Sequence, residues 1–391
     1  MKYSVIDISS SSLSLTVAET DGNPDTTEIV FKDRANLSLP YYLVGDKLSA
    51  RGIDKLLDAL AVAKEKCSKL GVNACWLIST AAMRSISNFD EVAASVEEHT
   101  GLRINFLDGG TEAYCDYIAN RRYAACDRAV LVDLGGKSIE ICDLSKSEKS
   151  DMLCLDFGIM DLHHKFVSRL QPTEGEADDV KKYVKSKFDD AGLPCGDTFA
   201  TVVLVGATNR AVYDVYAEYA GESAEDGVMT IDRKKFKKMV KYLLTDAERS
   251  GLILKTAPEK LSFVIPAAIV LKTLFKRFGA DNIVVSDSGV KEGYLRLVLD
   301  GSESGEYYDF ISALAVAASA PAAPKKRGRK PGAKSASKKT PAKRGRKPAA
   351  GNAAPKKRGR KPKAAEETAA ADVAAAEEAQ TAAEENASPA E

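Results

Sequence analysis

Hydrophobic and polar positions along the first 300 residues follow strand and helix periods in turn. Two pairs of β-rich segments, Lys2–Ile8 with Leu13–Ala18 and Ala129–Leu134 with Ser138–Leu144, each flank a short turn of small residues and predict two hairpins. Apolar positions at helical spacing predict a helix over Ile53–Leu70. Other elements predicted in the same way are the strands Thr27–Phe31, Cys75–Ser79, Arg103–Leu107, Thr201–Val205 and Ile283–Ser286 and the helices Asp90–His99, Asp161–Arg169, Asp178–Asp189, Arg210–Ala220, Lys234–Ser250 and Pro266–Phe278. Alternation of this kind indicates an α/β protein.

One segment of the first hairpin is repeated in the second. Asp7-Ile-Ser-Ser-Ser-Ser-Leu-Ser-Leu15 aligns without gaps on Asp133-Leu-Gly-Gly-Lys-Ser-Ile-Glu-Ile141. The repeat predicts two similar lobes that each present a tight loop to a shared cleft; the alternative is two ordinary hairpins with an accidental match. Loops of small residues let backbone N–H groups approach phosphate, and an Asp at each strand end is placed to hold a divalent cation directly or through water.

Charge divides the chain into an acidic body and a basic arm. The chain has 391 residues, and its 56 Lys and Arg balance 56 Asp and Glu. Residues 325–363 hold 18 basic and no acidic side chains, and residues 366–391 hold 8 acidic and no basic ones. Residues 1–320 therefore carry a net charge of −10. Large apolar residues nearly vanish after Asp300, so we expect the body to end there and residues 301–391 to be a disordered tail.

Composition also narrows the class of protein. The chain has no long apolar run behind a basic start, and its longest apolar stretch, near Ile311–Ala320, is too short to span a bilayer. Seven cysteines without a CxxC spacing are typical of reduced thiols, and three histidines give little support to a His-based zinc site. We therefore expect a cytoplasmic protein without a membrane segment.

Short motifs follow one another along the body. They are Thr80-Ala-Ala-Met-Arg84 with Asn88, Thr100-Gly-Leu with Gly109-Gly-Thr-Glu-Ala113, Asp133-Leu-Gly-Gly-Lys-Ser-Ile-Glu140, Asp156-Phe-Gly158, Gly206-Ala-Thr208, and Ser288-Gly289 with Glu292-Gly293. The first three are similar to the segments A-T-x-A-x-R…N, T-G-L…G-x-E-E-A and D-I-G-G-G-S-x-E of the exopolyphosphatase / guanosine pentaphosphate phosphatase family. The order and spacing of the motifs make the resemblance specific, and it runs from Lys2 to about Leu299.

The resemblance implies an α/β fold of two actin-like, ribonuclease H-like lobes around a central cleft, followed by the tail. We expect an N-terminal lobe over residues 1–125 and a C-terminal lobe over residues 126–300, whose last helix packs back on the first lobe. Since dimers are common in the family, the resemblance also leaves a homodimer open.

The resemblance further implies hydrolysis of the terminal phosphate of inorganic polyphosphate or guanosine pentaphosphate. Glu112 would orient or deprotonate the attacking water, and Arg84 would pair with a phosphate. Asp133, Glu140 and Asp7 would hold Mg²⁺ or Mn²⁺. The residues expected to bind phosphate are Ser10, Ser11, Ser12, Gly135, Gly136, Lys137, Ser138, Gly206 and Thr208. Without the resemblance, Glu112 could equally be an exposed acid at a helix start and Arg84 a surface residue.

Several positions depart from the family pattern. Ser9 replaces a Gly and would be strained if it needed a positive φ. Ser11 replaces an Asn, Thr111 replaces a Glu, and Lys137 either adds a charge to phosphate binding or fills the space of a phosphate. These changes leave a second interpretation open, a non-catalytic sensor of polyphosphate or a nucleotide that is tethered to DNA. A sugar or acid kinase fits the order of the motifs less well.

The basic arm contains Arg-Gly-Arg-Lys-Pro three times, at residues 327–331, 344–348 and 358–362. These units resemble AT-hooks, in which Arg-Gly-Arg lies in the narrow minor groove of A·T-rich DNA. A Lys between the second Arg and the Pro weakens the case for A·T preference. The alternatives are a solubilising tail, or an arm that feeds polyphosphate to the cleft. We expect DNA binding, and with it association with the nucleoid, through Arg327, Arg329, Arg344, Arg346, Arg358 and Arg360.

Overall fold

The computed structural model describes residues 1–80, 83, 86–224 and 227–313. The basic arm with its three repeats lies outside this part of the chain. The strands are β1 (Lys2–Ile8), β2 (Ser12–Glu19), β3 (Glu28–Asn36), β4 (Leu43–Val44), β5 (Lys47–Leu48), β6 (Ala74–Ser79), β7 (Ile104–Phe106), β8 (Ala129–Leu134), β9 (Ile139–Asp143), β10 (Leu153–Leu155), β11 (Thr201–Val205), β12 (Met229–Thr230), β13 (Asn282–Val285) and β14 (Tyr307–Asp309). The α-helices are α1 (Ala50–Leu70), α2 (Phe89–Thr100), α3 (Gly109–Asn120), α4 (Ile159–Phe166), α5 (Glu174–Asp190), α6 (Gly206–Ala220), α7 (Arg233–Thr245), α8 (Arg249–Thr256), α9 (Val264–Phe278) and α10 (Val290–Leu299).

The first sheet is built around β1, which pairs antiparallel with β2 and parallel with β6. β3 extends it antiparallel to β2, while β7 and β14 both pair with β6. One face of this sheet packs on α1, with Ile6, Leu15, Leu56 and Leu60 among the buried side chains. Apolar residues alternate along β1 and β2, so every second side chain points into this core. The chain reverses direction between the two strands at the loop of small residues.

The second sheet repeats the arrangement of the first. Its strand order is β10-β9-β8-β11-β13-β12, with β9 antiparallel and β11 parallel to β8. The run β3-β2-β1-β6 therefore matches β10-β9-β8-β11 in order and direction. The internal repeat predicted from the two hairpins is a repeat of strand pairing as well as of sequence, and the predicted α/β class is correct.

Helices α3 and α10 cross at close range beside the first sheet. A Cβ on Gly293 would overlap the backbone carbonyl of Cys115, so the crossing depends on glycine at this position. Tyr294 and Leu295 of α10 pack with Val5 and Trp76 of the first sheet in one buried cluster. The chain thus returns from the second sheet to the first.

Two boundaries differ from the sequence prediction. Folded chain continues past Asp300, because β14 pairs with the start of β6 and Phe310 is buried beside it. β14 has three residues, which are too few for an alternating period to predict a strand. The predicted helix Lys234–Ser250 is two helices, α7 and α8, since the Asp246 carboxylate accepts the backbone N–H of Glu248 at 2.8 Å and supports a turn there. None of the helices in the described ranges is long and apolar enough to cross a membrane.

Candidate active site

A cavity of about 610 Å³ opens where the two hairpin loops meet. Its walls include the loop between β1 and β2, the loop between β8 and β9, and the start of α6. A Cβ built on Gly136 would lie 3.5 Å from the Cβ of Ser10, so the two loops face each other at contact distance. The shared cleft predicted from the repeat is present.

Ser9 closes the first loop without backbone strain. Its backbone N–H donates to the carbonyl of Ser12 at 2.9 Å, and its hydroxyl oxygen accepts the backbone N–H of Ser12 at 3.2 Å. Among the described residues other than glycine, positive φ occurs at Ser38 and Arg128 and not at Ser9. The loop therefore does not need glycine at this position, and the expected strain is absent.

The second loop is held by the start of α4. The carbonyls of Gly135 and Gly136 accept the backbone N–H groups of Ile159 at 3.0 Å and Met160 at 2.9 Å. A Cβ on Gly158 would overlap the backbone of Gly136, so this glycine lets the helix start lie directly against the loop. This contact explains the glycine of the Asp156-Phe-Gly158 motif.

Lys137 lies in the cavity wall with its charge paired. Its ammonium group donates to Oδ1 of Asp161 at 2.6 Å, and both side chains are 34% exposed. The other carboxylate oxygen of Asp161 accepts the backbone N–H of Gly158 at 3.0 Å. The ion pair joins the second loop to α4 and holds the ammonium group at the side of the cavity.

Three of the carboxyl groups that line the cavity are predicted site residues: Asp7 on β1, Asp133 on β8 and Glu112 in the first turn of α3. Burial, together with the negative charges of Glu112 and Asp7, raises the pKa of Asp133 to about 8. Burial also raises the pKa of Asp7, against the opposing effect of the Lys291 and Arg34 charges. Like charges in a poorly solvated site favour the protonated form, so this cluster is ready to accept positive charge.

The carboxyl groups of Asp7 and Asp133 are suited to a divalent cation that takes its remaining ligands from a bound phosphate and from water. Within the described ranges no three His, Cys, Asp or Glu side chains are grouped to hold a metal by themselves. Mg²⁺ commonly uses one or two carboxylates and takes its remaining ligands from phosphate and water. Oδ1 of Asp7 is buried without a hydrogen-bond partner, and a bound cation would stabilise the charged forms of both Asp7 and Asp133.

Glu140 is placed differently from the other predicted metal ligands. It is paired with Asp133 in the register of β8 and β9, and its side chain is 1% exposed. The thiol of Cys154 on β10 donates to its Oε1 at 3.3 Å. Glu140 lies behind the cavity wall and does not line the cavity, so its role as a metal ligand stays a prediction.

Most of the other predicted site residues meet at the cavity. Arg84 and the six arginines of the arm lie outside the described residues. The predicted residues that line the cavity are Asp7, Ser10, Ser11, Ser12, Glu112, Asp133, Gly135, Gly136, Lys137, Ser138, Gly206 and Thr208.

Positive charge in the cavity comes largely from residues that the motifs did not indicate. Lys260 is 6% exposed, and its ammonium group lies 3.3 Å from the hydroxyl of Ser11. Burial and the charge of Arg34 lower the pKa of Lys260 to about 8. Arg34 and Arg210 also line the cavity. Arg34 lies in an alternating strand and Lys260 in a short turn, so both look like surface residues in the sequence.

Asp116 is a second residue that the motifs did not indicate. It follows Glu112 by one helical turn on α3, is fully buried, and neither carboxyl oxygen has a hydrogen-bond partner. Burial and the nearby charges of Asp133 and Glu140 raise the pKa of Asp116 well above its usual value. Burial therefore favours the protonated form of this acid, which lies near the carboxyl groups of the cavity.

Comparison with known proteins agrees with this geometry. Residues 16–300 match the Ppx/GppA phosphatase family. The chain belongs to that family. Exopolyphosphatase 1 of Mycobacterium leprae is 21% identical over 276 residues, which cover 66% of this chain and 78% of the relative.

Two solved structures share the fold of this Ppx/GppA family member. A crystal structure of an exopolyphosphatase from Cytophaga hutchinsonii aligns with a TM-score of 0.69 at 17% identity, over 78% of this chain and 100% of that one. The Ppx/GppA family member of Aquifex aeolicus aligns with a TM-score of 0.63 at 23% identity, over 78% of this chain and 99% of that one. The predicted fold class and family are confirmed.

Since the resemblance implies that Asp133 holds Mg²⁺, we expect the dependence of activity on Mg²⁺ to change with pH. The pKa of Asp133 is raised to about 8, so below that pH a cation must displace its proton. The Mg²⁺ concentration for half-maximal activity should fall about tenfold per pH unit up to pH 8 and then level off. Titrations with Mg²⁺ between pH 6 and pH 9 measure this, and Asp133→Asn should remove the slope. An equal slope in that variant would contradict the assignment.

Lys260→Met is expected to stabilise the protein while it weakens phosphate binding. Because burial lowers the folded-state pKa to about 8, the penalty for the charged form is present below that pH and disappears as the pH rises towards 10.5. At pH 7 the variant should gain about 2 kcal/mol in free energy of unfolding and raise KM for the phosphate substrate about tenfold. Denaturant unfolding and kinetics test both effects, with the exposed Lys146→Met as control. Loss of stability together with an unchanged KM would contradict the prediction.

Proposed function

We propose that this chain removes the terminal phosphate from inorganic polyphosphate by hydrolysis. One observation carries the proposal: the two small-residue hairpin loops, a cluster of carboxyl groups, the buried Lys260 and two arginines all line a single cavity. Membership in a family of phosphatases supports hydrolysis in general. The match to an exopolyphosphatase supports the choice of substrate.

We assign each group of cavity residues a separate role in phosphoryl transfer. The small loops at Ser10 and Gly136 let backbone N–H groups approach the terminal phosphate, while Lys260 and Arg34 neutralise its charge. Asp133 and Asp7 would hold Mg²⁺ with the phosphate oxygens, and the cation would supply further positive charge there. The water oxygen then bonds to the terminal phosphorus as the bridging P–O bond breaks.

Glu112 is the residue that we assign to the attacking water. It lies in the first turn of α3 and lines the cavity, with 8% of its surface exposed. A carboxylate in this position can orient the water and take its proton, while the bond electrons leave with the shortened chain. The products are orthophosphate and a polyphosphate that is one unit shorter.

Guanosine pentaphosphate is a second candidate substrate. Phe263 lines the same cavity, and an aromatic ring on the wall offers a stacking surface for a guanine base. Polyphosphate has no part that would use this ring. Substitution of Phe263 by Leu should therefore weaken binding of the nucleotide more than binding of polyphosphate.

The proposal is tested by measuring orthophosphate release from long-chain polyphosphate and from guanosine pentaphosphate, with Mg²⁺ and with a chelator. We expect release from polyphosphate that depends on Mg²⁺. If neither substrate is hydrolysed while polyphosphate still binds, the enzyme proposal is wrong and the sensor interpretation is favoured.

We also propose that the arm binds DNA through its three Arg-Gly-Arg-Lys-Pro units. Affinity should fall steeply with salt, because most of it would come from counterion release. Electrophoretic shifts with A·T-rich and G·C-rich duplexes measure affinity and base preference. A full-length variant with the six arginines replaced by Gln should lose the shift, and retention of the shift would contradict the proposal.

A further inference from the structure

A second cavity, of about 950 Å³, lies in the second lobe between α5, α7 and α9. Its floor contains the aliphatic side chains of Ala177, Val240, Leu244 and Ile269. Three acidic residues line it, Glu174, Asp178 and Asp189. Its basic lining residues, which we call the basic groove, are Lys181, Lys185, Lys234, Lys237, Lys238, Lys241, Lys272, Lys276 and Arg277.

Few of these positive charges are paired. Arg277 binds the carboxylate of Asp189 at 2.6 Å, and the ammonium group of Lys181 lies 3.7 Å from Asp178. Over the ranges that the structure describes, no ion pair involves the other lysines of the basic groove. The groove is therefore a basic island on a body whose net charge is −10 over residues 1–320.

The spacing of the lysines opposes helix stability. Lys234, Lys237, Lys238 and Lys241 follow one another at i, i+3, i+4 and i+7 on α7, so like charges share one face. Burial lowers the pKa of Lys272, and the positive charges of Lys181 and Lys237 lower it further. Charges on three helices thus repel one another across the groove, and a polyanion would relieve this repulsion.

We propose that the basic groove binds the distal part of an extended polyphosphate chain. A thin, flexible chain of phosphates can enter a concave groove and meet ammonium groups from all three helices. A DNA duplex presents its phosphates on a rigid convex surface and fits this concavity less well. The identity of this ligand rests on the proposed function, whereas its binding requires no turnover.

Helix α9 links the groove to the active-site cavity. Phe263, directly before α9, lines the cavity, and Ile269 and Lys276 on α9 line the groove. A helix rises about 1.5 Å per residue, so Lys276 lies about 20 Å along the axis from Phe263. A long chain with its end in the cavity can span this distance, and tripolyphosphate cannot. Chain length should therefore decide whether the groove contributes to binding.

The test uses the full-length chain with the six arm arginines replaced by Gln, so that the arm does not dominate the affinity. In this background Lys237, Lys241 and Lys276, which are all exposed, are changed to Gln. The matched control changes the exposed Lys47, Lys146 and Lys182, which do not line the groove. The substrates are long-chain polyphosphate and tripolyphosphate.

We expect the groove variant to raise KM for long-chain polyphosphate about tenfold, with KM for tripolyphosphate and both kcat values unchanged. The control variant should match the parent for both substrates. Equal KM values for the long chain in groove and control variants would overturn the proposal. A groove variant that loses affinity for duplex DNA and keeps its affinity for polyphosphate would overturn it as well.

Equilibrium binding separates this proposal from the proposed function. If neither the parent chain nor the two variants hydrolyse polyphosphate, the dissociation constant for long-chain polyphosphate still measures binding to the basic groove. A tenfold weaker constant in the groove variant then supports the groove while the hydrolase proposal fails. An unchanged constant overturns the groove proposal, whether or not turnover is observed.

Discussion

Glu112→Gln is expected to lower kcat for phosphate release by about 10²–10⁴-fold and to leave the dissociation constant for polyphosphate nearly unchanged. The amide keeps the size of the side chain and cannot accept the proton of the attacking water. Glu112 lines the cavity in the first turn of α3, opposite the loops that we assign to phosphate. Its loss should therefore affect the chemical step more than the binding step.

The control for this variant is Glu148→Gln, because Glu148 is exposed and does not line the cavity. It should match the parent chain in kcat, KM and melting temperature. Equal kcat values for the Glu112 and Glu148 variants would contradict the role assigned to Glu112. A large loss of polyphosphate binding in Glu112→Gln would instead indicate a structural role.

Gly206→Ala is expected to lower kcat/KM by about 10²-fold or more. Gly206 begins α6 with a φ of 85°, a left-handed conformation that alanine adopts only with strain. A Cβ here would also overlap Oδ1 of Asp133, so this carboxylate would have to leave its place in the cavity. The Mg²⁺ concentration needed for half-maximal activity should rise with this displacement.

Gly221→Ala separates the effect of backbone strain from the effect of displacing the Asp133 carboxylate. Gly221 directly follows the last residue of α6 with a φ of 65°, and a Cβ there would have no atom within 4 Å. Its replacement should cost about 1 kcal/mol in free energy of unfolding and leave activity unchanged. If both variants lost the same stability and both kept full activity, contact between Gly206 and Asp133 would not matter for function.

The features that the sequence predicted best depend on local pattern. The strands Ala129–Leu134 and Thr201–Val205 have the predicted bounds, because buried apolar runs end there at polar or small residues. The repeat around Asp7 and Asp133 predicted the facing loops, since a similar pattern of apolar and small residues gives a similar strand–turn–strand geometry. Local pattern thus predicted the two facing loops and placed a carboxyl group at the end of each strand, while phosphate binding by these loops stays a prediction.

The features that the sequence missed depend on tertiary contacts. Lys260 and Arg34 become cavity cations only because distant segments fold around the first loop. Asp116 is buried through the crossing of α3 and α10, which local periodicity does not reveal. At Ser9 the sequence suggested strain that the structure does not have. Hydrogen bonds between Ser9 and Ser12 complete the turn, although the family pattern has glycine at this position.

We propose that hydrolysis of a terminal phosphate takes place in the cavity between the two loops. The most direct test follows the products of long-chain polyphosphate with Mg²⁺ at early times, for the full-length chain and for Glu112→Gln. We predict that the parent chain releases orthophosphate while the remaining polyphosphate stays long, and that Glu112→Gln binds polyphosphate without releasing orthophosphate. Fragments of intermediate length, or equal release by both proteins, would contradict the claim.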